Sequence, residues 1–321
     1  MEYLTFVDLQ THIQALYQQG DYAAVLELAS VEMTNFPEQF HLLYYWRICM
    51  AARLQETELA LTLLDELMDN GFWYGEALLR KSPSLQPMQG QPEFEARLER
   101  SLALQELEQG QLFPLLILRS EGRCTDSDER CPLLIGLHAN ASIAQASVDF
   151  WRAAASAGWL VAIPQSTQAI WKGAYVWDDR EKTEQQLSRQ LQILLKQYSL
   201  DPGRVVIAGH SMGGEIAAWL AIEGLLPVQG FIAIGPGGPL MDDVENWTAL
   251  LAKKPAHNLR GYLILGEEDE TITQENVHLL AEILNQSGIP TDLERIPAAG
   301  HDFSEEYADA LLRGLNFIEQ Y

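Results

Sequence analysis

The sequence predicts an α/β protein, a mainly parallel sheet with helices on both faces, preceded by an all-helical region. Three observations carry this. From about residue 112 onward, short runs that are apolar throughout alternate with stretches of helical length, the pattern of strands buried on both faces. Before about residue 109, apolar residues recur only at helical spacing. The chain has 321 residues, 47% hydrophobic and 21% charged, enough apolar surface for two folded cores. We therefore expect a helical domain over residues 1–109 and an α/β domain over residues 110–321.

In the first region Leu9, Ile13, Leu16 and Tyr17 share one helical stripe, and Tyr22, Val25, Leu26 and Ala29 a second. Gly20-Asp21 separates them and Pro37 comes after the second. Further helices are expected over residues 42–54 and from Leu59 to Met68, where Asn70-Gly71 supplies residues that tolerate a left-handed helix end. Ala15, Leu16, Tyr17, Gly20, Asp21, Tyr22, Ala24, Leu28, Ala29 and Pro37 together resemble one tetratricopeptide repeat unit, and residues 44–67 a degenerate second copy. Such arrays normally need about three repeats, so two copies are expected to lean on something else. A connecting region marked by Pro83, Pro87, Gly90 and Pro92 leads into a last helix over residues 93–108.

In the second region strands are expected at residues 113–119, 132–138, 159–163, 205–208, 230–234, 262–265 and 291–296. Helices are expected at 144–157, 181–198, 215–223, 274–286 and 305–319. Such sheets present their ligands at the carboxyl ends of the strands.

Composition narrows the function classes. The formal net charge is −24; residues 1–110 carry 17 acids and 6 bases, the remainder 28 and 15. Neither half resembles an arm for nucleic acid or anionic lipid. Cys49, Cys124 and Cys131 are sparse and odd in number, which favours reduced structural thiols over a disulfide framework, with a Cys124–Cys131 bridge across a loop as the alternative. No Cys-x-x-Cys or His-x-His cluster suggests a metal. The start, MEYLTFVDLQ, lacks a basic stretch and a long apolar run, and no segment reaches the roughly 18 apolar residues of a membrane span. A cytoplasmic protein without a membrane span is expected.

The chemistry concentrates at strand ends. Val205-Val206-Ile207-Ala208 runs into Gly209-His210-Ser211-Met212-Gly213-Gly214, a strand, a sharp turn and a helix start. Ser211 at such a turn is lifted above the sheet, and glycines two residues either side let neighbouring chains approach. The helix N-terminus offers N–H groups and a positive dipole end to a developing oxyanion. A serine hydroxyl needs a base. Among seven histidines, His12 and His41 lie in the helical region, His257 in a loop, His278 within a helix, and His138 and His210 precede the serine. His301 follows the last strand and precedes the last helix. Four acids, Glu267, Glu268, Asp269 and Glu270, close the strand over residues 262–265. The early strand ends in Leu137-His138-Ala139-Asn140-Ala141-Ser142.

Together these residues resemble the carboxylesterase and dienelactone-hydrolase-like branch of the α/β-hydrolase superfamily, over residues 112–321. The resemblance implies the chain order nucleophile, acid, histidine, hence Ser211, Asp269 and His301. Gly266-x-x-Asp269-x-x-Ile272 matches the usual acid turn. Glu268 is its main rival, because a glutamate fills the same role, and Asp242 and Asp243 are further acids within the domain. The oxyanion donors implied are the Met212 N–H and that of Asn140, the latter in a turn like the His-Gly-x-Gly turn of esterases, with both glycines here replaced by alanine. Dienelactone hydrolases proper carry a cysteine nucleophile; serine here implies an esterase, lysophospholipase or thioesterase type of activity with no cofactor. Trp171, Tyr175 and Trp177, in the loop over residues 165–180, are expected as an aromatic substrate surface, and Pro236-Gly237-Gly238-Pro239 as another wall. The expected partner is a small ester or thioester. The N-terminal helices are expected to cap the site, to dock within the chain or to recruit a protein. The alternative is a binding or scaffold protein on a catalytically weak hydrolase fold.

Overall fold

A computed structural model describes residues 3, 5–120, 124, 130–252 and 258–320. Two compact units emerge: Met1–Leu112 with Ala169–Lys172, and Phe113–Gln168 with Gly173–Tyr321.

The first unit is built from α1 (Phe6–Gln18), α2 (Tyr22–Val31), α3 (Phe40–Arg53), α4 (Thr57–Asp69), α5 (Glu76–Lys81) and α6 (Pro92–Gln109). Thr5 and Asp8 form a reciprocal capping box at the start of α1, and the Asp21 carboxylate caps α2, so both turns arise from polar side chains placed one residue ahead of a helix. Leu9, Ile13, Val25, Leu43, Leu64, Leu67 and Phe94 share one core. Arg53, in the last turn of α3, donates to the hydroxyls of Tyr17 (2.8 Å), Tyr22 (3.2 Å) and Ser84 (2.8 Å) and ties the α1–α2 hairpin to the segment between α5 and α6.

The second unit contains β1 (Leu115–Leu118), β2 (Cys131–Leu137), α7 (Val148–Ser156), β3 (Leu160–Pro164), β4 (Gln168–Trp171, of which only Gln168 belongs to this unit) and β5 (Ala174–Val176). The chain continues through α8 (Arg180–Gln197), β6 (Leu200–His210), α9 (Met212–Ile222), β7 (Gly230–Ile234), α10 (Pro239–Asp242) and α11 (Glu245–Leu251). It ends with β8 (Arg260–Gly266), α12 (Gln274–Gln286), β9 (Thr291–Ile296) and α13 (Glu305–Glu319). The main sheet has the order β1-β3-β2-β6-β7-β8-β9. Its neighbours are parallel except at the β1 edge, where Leu116 faces Ile163 antiparallel.

Alternation along the central strands explains their continuous apolar sequence. Leu133, Ile135, Val205, Ile207, Phe231 and Leu263 face one core with α8, α9 and α12. Leu134, Val206, Ala208, Ile232 and Ile264 face the other with α7 and α13. Each strand therefore needs apolar residues at every position. Burying a side chain of this size stabilises by roughly 1.5–3 kcal/mol, so the central strands fix where their carboxyl ends lie.

Cys124 and Cys131 are joined by a disulfide, which corrects the expectation of reduced thiols; Cys49 is free and buried. Among the described residues no helix is long and apolar enough to cross a membrane.

Candidate active site

Ser211 connects β6 to α9 with φ 54° and ψ −122°, a backbone conformation that costs a residue with a Cβ roughly 1–2 kcal/mol. Surrounding backbone holds it there. Its N–H donates to the Ile234 carbonyl at 2.9 Å, and its own carbonyl accepts from Gly214 (2.8 Å), Glu215 (3.2 Å) and Gly237 (3.2 Å). The two motif glycines are steric requirements. A Cβ on Gly209 would lie 2.0 Å from the Gly213 carbonyl oxygen, and one on Gly213 would lie 2.6 Å from that of His138. Met212 opens α9, so its N–H is one of the four that lack an intrahelical acceptor.

Asp269 follows β8 and is 4% exposed. One carboxylate oxygen accepts from the N–H groups of Thr271 (2.9 Å) and Ile272 (3.0 Å); the other is 2.8 Å from His301 Nδ1. The carboxylate is acceptor-only when ionised, so Nδ1 carries the proton and Nε2 keeps its lone pair. Glu268 is exposed, as are Asp242 and Asp243, and His301 bonds to none of them. His257 lies outside the described residues.

His210, passed over in the sequence because it precedes the serine, anchors the other end of His301. Its Nε2–H donates to the His301 carbonyl at 2.8 Å. Its ring lies between Phe150, with centroids 4.4 Å apart, and the His301 ring, 4.7 Å away. Burial, followed by the adjacent His301, pushes the His210 pKa down to about 4, so it is neutral where esters are stable. The only hint of this in the sequence was its position beside Ser211.

The turn after β2 places Asn140, exposed, on the same cleft as Ser211 and Met212. Ala141, standing where esterases carry glycine, has φ 50°. Residues from elsewhere in the chain brace this turn. Ser142 and Tyr175 exchange backbone hydrogen bonds at 3.1 and 3.2 Å. The Trp177 indole N–H donates to the His138 carbonyl at 3.0 Å. His138 is fully buried, with Nδ1–H donating to Ala139 O at 2.8 Å and Nε2 accepting from Ser166 N–H at 3.2 Å. Burial holds its pKa down to about 4.

The aromatic loop departs from its expected role as a substrate surface. Tyr175 and Trp177 are fully buried and do not line the cleft; packing claims their ring faces, and they brace the turn after β2 instead. Trp171 belongs to the helical unit. The Gly75 N–H donates to the Ile170 carbonyl at 2.7 Å, the Lys172 N–H to the Trp73 carbonyl at 3.2 Å, and the Trp171 ring packs 5.5 Å from that of His41.

The cleft beside Ser211 has a volume of about 190 Å³. Its walls come from the β7 loop (Pro236, Gly237, Gly238, Met241 and Asp242) and the β8 loop (Thr271, Ile272 and Thr273), with Asn140 and Asn276. Buried Glu215 positions the first wall: its carboxylate accepts from Leu240 N–H (2.7 Å) and Met241 N–H (3.0 Å) and meets Arg180 at 3.3 Å. Burial raises the Glu215 pKa, against the downward pull of those donors. Among the described residues no group of three or more His, Cys, Asp or Glu is arranged to hold a metal. A buried carboxylate on a histidine and a strained serine at a helix start facing a cleft are the groups that activating a hydroxyl and stabilising an oxyanion require.

No curated protein matches the sequence. Among solved structures, an uncharacterized protein from Bacillus cereus is 21% identical with a TM-score of 0.52, covering 98% of this chain and 99% of its own. A ferulic acid esterase is 16% identical, TM-score 0.51, covering 64% of this chain and 90% of its own. A dienelactone hydrolase-like promiscuous phosphotriesterase from metagenomic libraries is 13% identical, TM-score 0.50, covering 64% and 91%. At these identities the likeness concerns the fold. Residues 5–106 match the model of an A/B hydrolase-like N-terminal domain. Residues 153–316, just over half of the chain and including Ser211, Asp269 and His301, match the model of the dienelactone hydrolase family, and the chain belongs to that family of hydrolases.

Proposed function

We propose that this chain is a serine hydrolase that cleaves carboxylic ester or thioester bonds through an acyl-enzyme. The observation that carries the reading is the 2.8 Å hydrogen bond from His301 to buried Asp269, at the carboxyl ends of β9 and β8 in the sheet whose β6 ends in the strained Ser211 turn. Ser211 Oγ attacks the substrate carbonyl carbon and gives its proton to His301 Nε2. Asp269 holds the imidazole in the tautomer that can accept it and stabilises the imidazolium that forms. The carbonyl oxygen becomes an oxyanion, stabilised by the N–H groups of Met212 and Asn140. Collapse expels the alcohol or thiol, protonated by His301, and leaves the acyl group on Ser211. Water then attacks the acyl carbon, gives a proton to His301, and the acid departs as Ser211 Oγ regains its proton. The named side chains suffice for this chemistry without a cofactor.

Turnover of short-chain p-nitrophenyl esters and thioesters tests the reading. Ser211→Ala is expected to lower kcat by on the order of 10⁴-fold or more, and Asp269→Asn by about 10⁴-fold with the fold retained. A Ser211→Ala protein hydrolysing at the wild-type rate overturns it, and absence of turnover in the wild type favours a binding or scaffold role.

A further inference from the structure

We propose that Asp242 is a specificity residue that sets the charge of the substrate: the cleft takes a short group that is neutral or cationic and turns away anionic ones. This rests on the reading of Ser211 as the nucleophile.

The size of the cleft comes first. An apolar cavity of roughly 150 Å³ holds a benzene ring, whereas drug-sized ligands occupy roughly 300–1,000 Å³. At about 190 Å³ the cleft fits one small ring or a short acyl chain. The space is bounded closely at Gly237, where a Cβ would meet Ile272 Cδ1 at 2.6 Å and stand 3.9 Å from Ser211 Oγ.

Charge comes second. Among the described residues lining the cleft, Asp242 alone carries an acidic or basic side chain; Asn140, Thr271, Thr273 and Asn276 are polar and neutral. Asp242 is exposed and makes no ion pair among the described residues. Arg180, near Glu215, is engaged by that carboxylate. Asp243, next in the chain, and Glu267, Glu268 and Glu270, in the loop after β8, are exposed acids, with Arg295 paired to Glu267, and the whole chain carries −24.

The Asp242 backbone is also fixed. Its N–H donates to the Gly238 carbonyl at 2.9 Å. The preceding residues Leu240 and Met241 are held by Glu215, and the Asn276 amide donates to the Met241 carbonyl at 2.7 Å. A charge on a fixed support, in a cleft this small, acts on whatever group the cleft receives. At about 8 Å and an effective dielectric of about 30, one unit charge changes a rate roughly 10-fold.

The test uses three fluorophosphonates of equal length, ending in trimethylammonium, tert-butyl or carboxylate, with the rate of labelling at Ser211 read by mass spectrometry. Labelling is stoichiometric and needs no turnover. We expect the cationic probe to react roughly 100-fold faster than the anionic one at low salt, with the neutral probe between them and the spread narrowing as salt rises. Asp242→Asn is expected to collapse the cationic-to-anionic ratio to within a few-fold of unity. Asp309→Asn, which removes the same charge from the exposed face of α13, should leave the ratio unchanged. Equal labelling rates in the wild type, or a ratio that Asp242→Asn does not move, overturn the charge filter while the nucleophile stands. No labelling by any probe contradicts the nucleophile and the filter with it.

Discussion

The two turns that frame Ser211 reach their shapes by opposite means. The turn at Gly209–Gly213 carries glycine where backbone crowds in, at 2.0 and 2.6 Å from an added Cβ. The turn at His138–Ser142 has no glycine, and Ala141 sits at φ 50°. It is held by parts distant in sequence: Tyr175 on Ser142, Trp177 on the His138 carbonyl and Ser166 on the His138 ring. One turn is specified locally and the other by tertiary structure. Steric exclusion admits no substitute for glycine, whereas a strained residue is tolerated where neighbours over-determine its conformation.

The largest effect should come from the locally specified turn. Gly213→Ala forces a methyl against the His138 and Leu137 carbonyls, which moves the helix start and the turn after β2 apart. Turnover should fall on the order of 100-fold or more, with a loss of roughly 1–3 kcal/mol in urea unfolding. A Gly213→Ala protein with wild-type kinetics would remove the steric half of the comparison.

Acid should strike both turns. His138 and His210 have folded pKa values pushed down to about 4, against roughly 6.5 in the unfolded chain. Above about pH 6.5 both states hold the rings neutral; as pH falls toward 4 only the unfolded state gains protons, so stability declines. Each ring contributes up to about 3 kcal/mol to that decline. Thermal unfolding from pH 7 to 4.5 should show it, and His210→Phe should flatten the slope by about half. The same variant loses the hydrogen bond to the His301 carbonyl, so kcat at pH 7.5 should drop roughly 10-fold with KM nearly constant. An unchanged kcat would mean that the His301 loop holds its position without it.

On the turn held from a distance, Trp177→Phe removes one hydrogen bond and part of a buried ring. A loss of roughly 2 kcal/mol in urea unfolding is expected, with kcat falling by up to about 10-fold. The smallest effect has the opposite sign. Ala141→Gly relieves a left-handed alanine and should raise stability by at most about 1 kcal/mol, with turnover unchanged or slightly higher. Destabilisation by Ala141→Gly would show that the turn gains more from the rigidity of alanine than it loses in strain.

The same contrast governs how much was legible in the sequence. The strands Gly230–Ile234 and Thr291–Ile296 and the helices Gln274–Gln286 and Glu305–Glu319 could be read directly, because Gly, Pro and Ser mark their ends and their periodicity is clean. β6 runs from Leu200, well before the apolar run at Val205, because Cys131 pairs with Leu200 across the sheet and local polarity gives no sign of it. Ser211, Asp269 and His301 could be singled out because each sits at a strand end next to a local signal. The destiny of the aromatic loop could not. Gly75, far back in the chain, receives Ile170, and Ser142, in the turn after β2, receives Tyr175. An aromatic residue in a loop reads alike whether its ring faces substrate or core. The Glu215–Arg180 pair, which fixes one wall of the cleft, joins residues 35 apart, and no short motif announces it.

The proposed reaction passes through a covalent acyl-enzyme on Ser211. Mixing excess protein with p-nitrophenyl acetate, quenching in acid within the first turnover and mapping peptides by mass spectrometry tests it directly. We predict an acetyl group on the peptide containing Ser211, absent in Ser211→Ala and slower to form in Asp269→Asn. Ester cleavage with no acetyl on that peptide, or the same burst in Ser211→Ala, would contradict it.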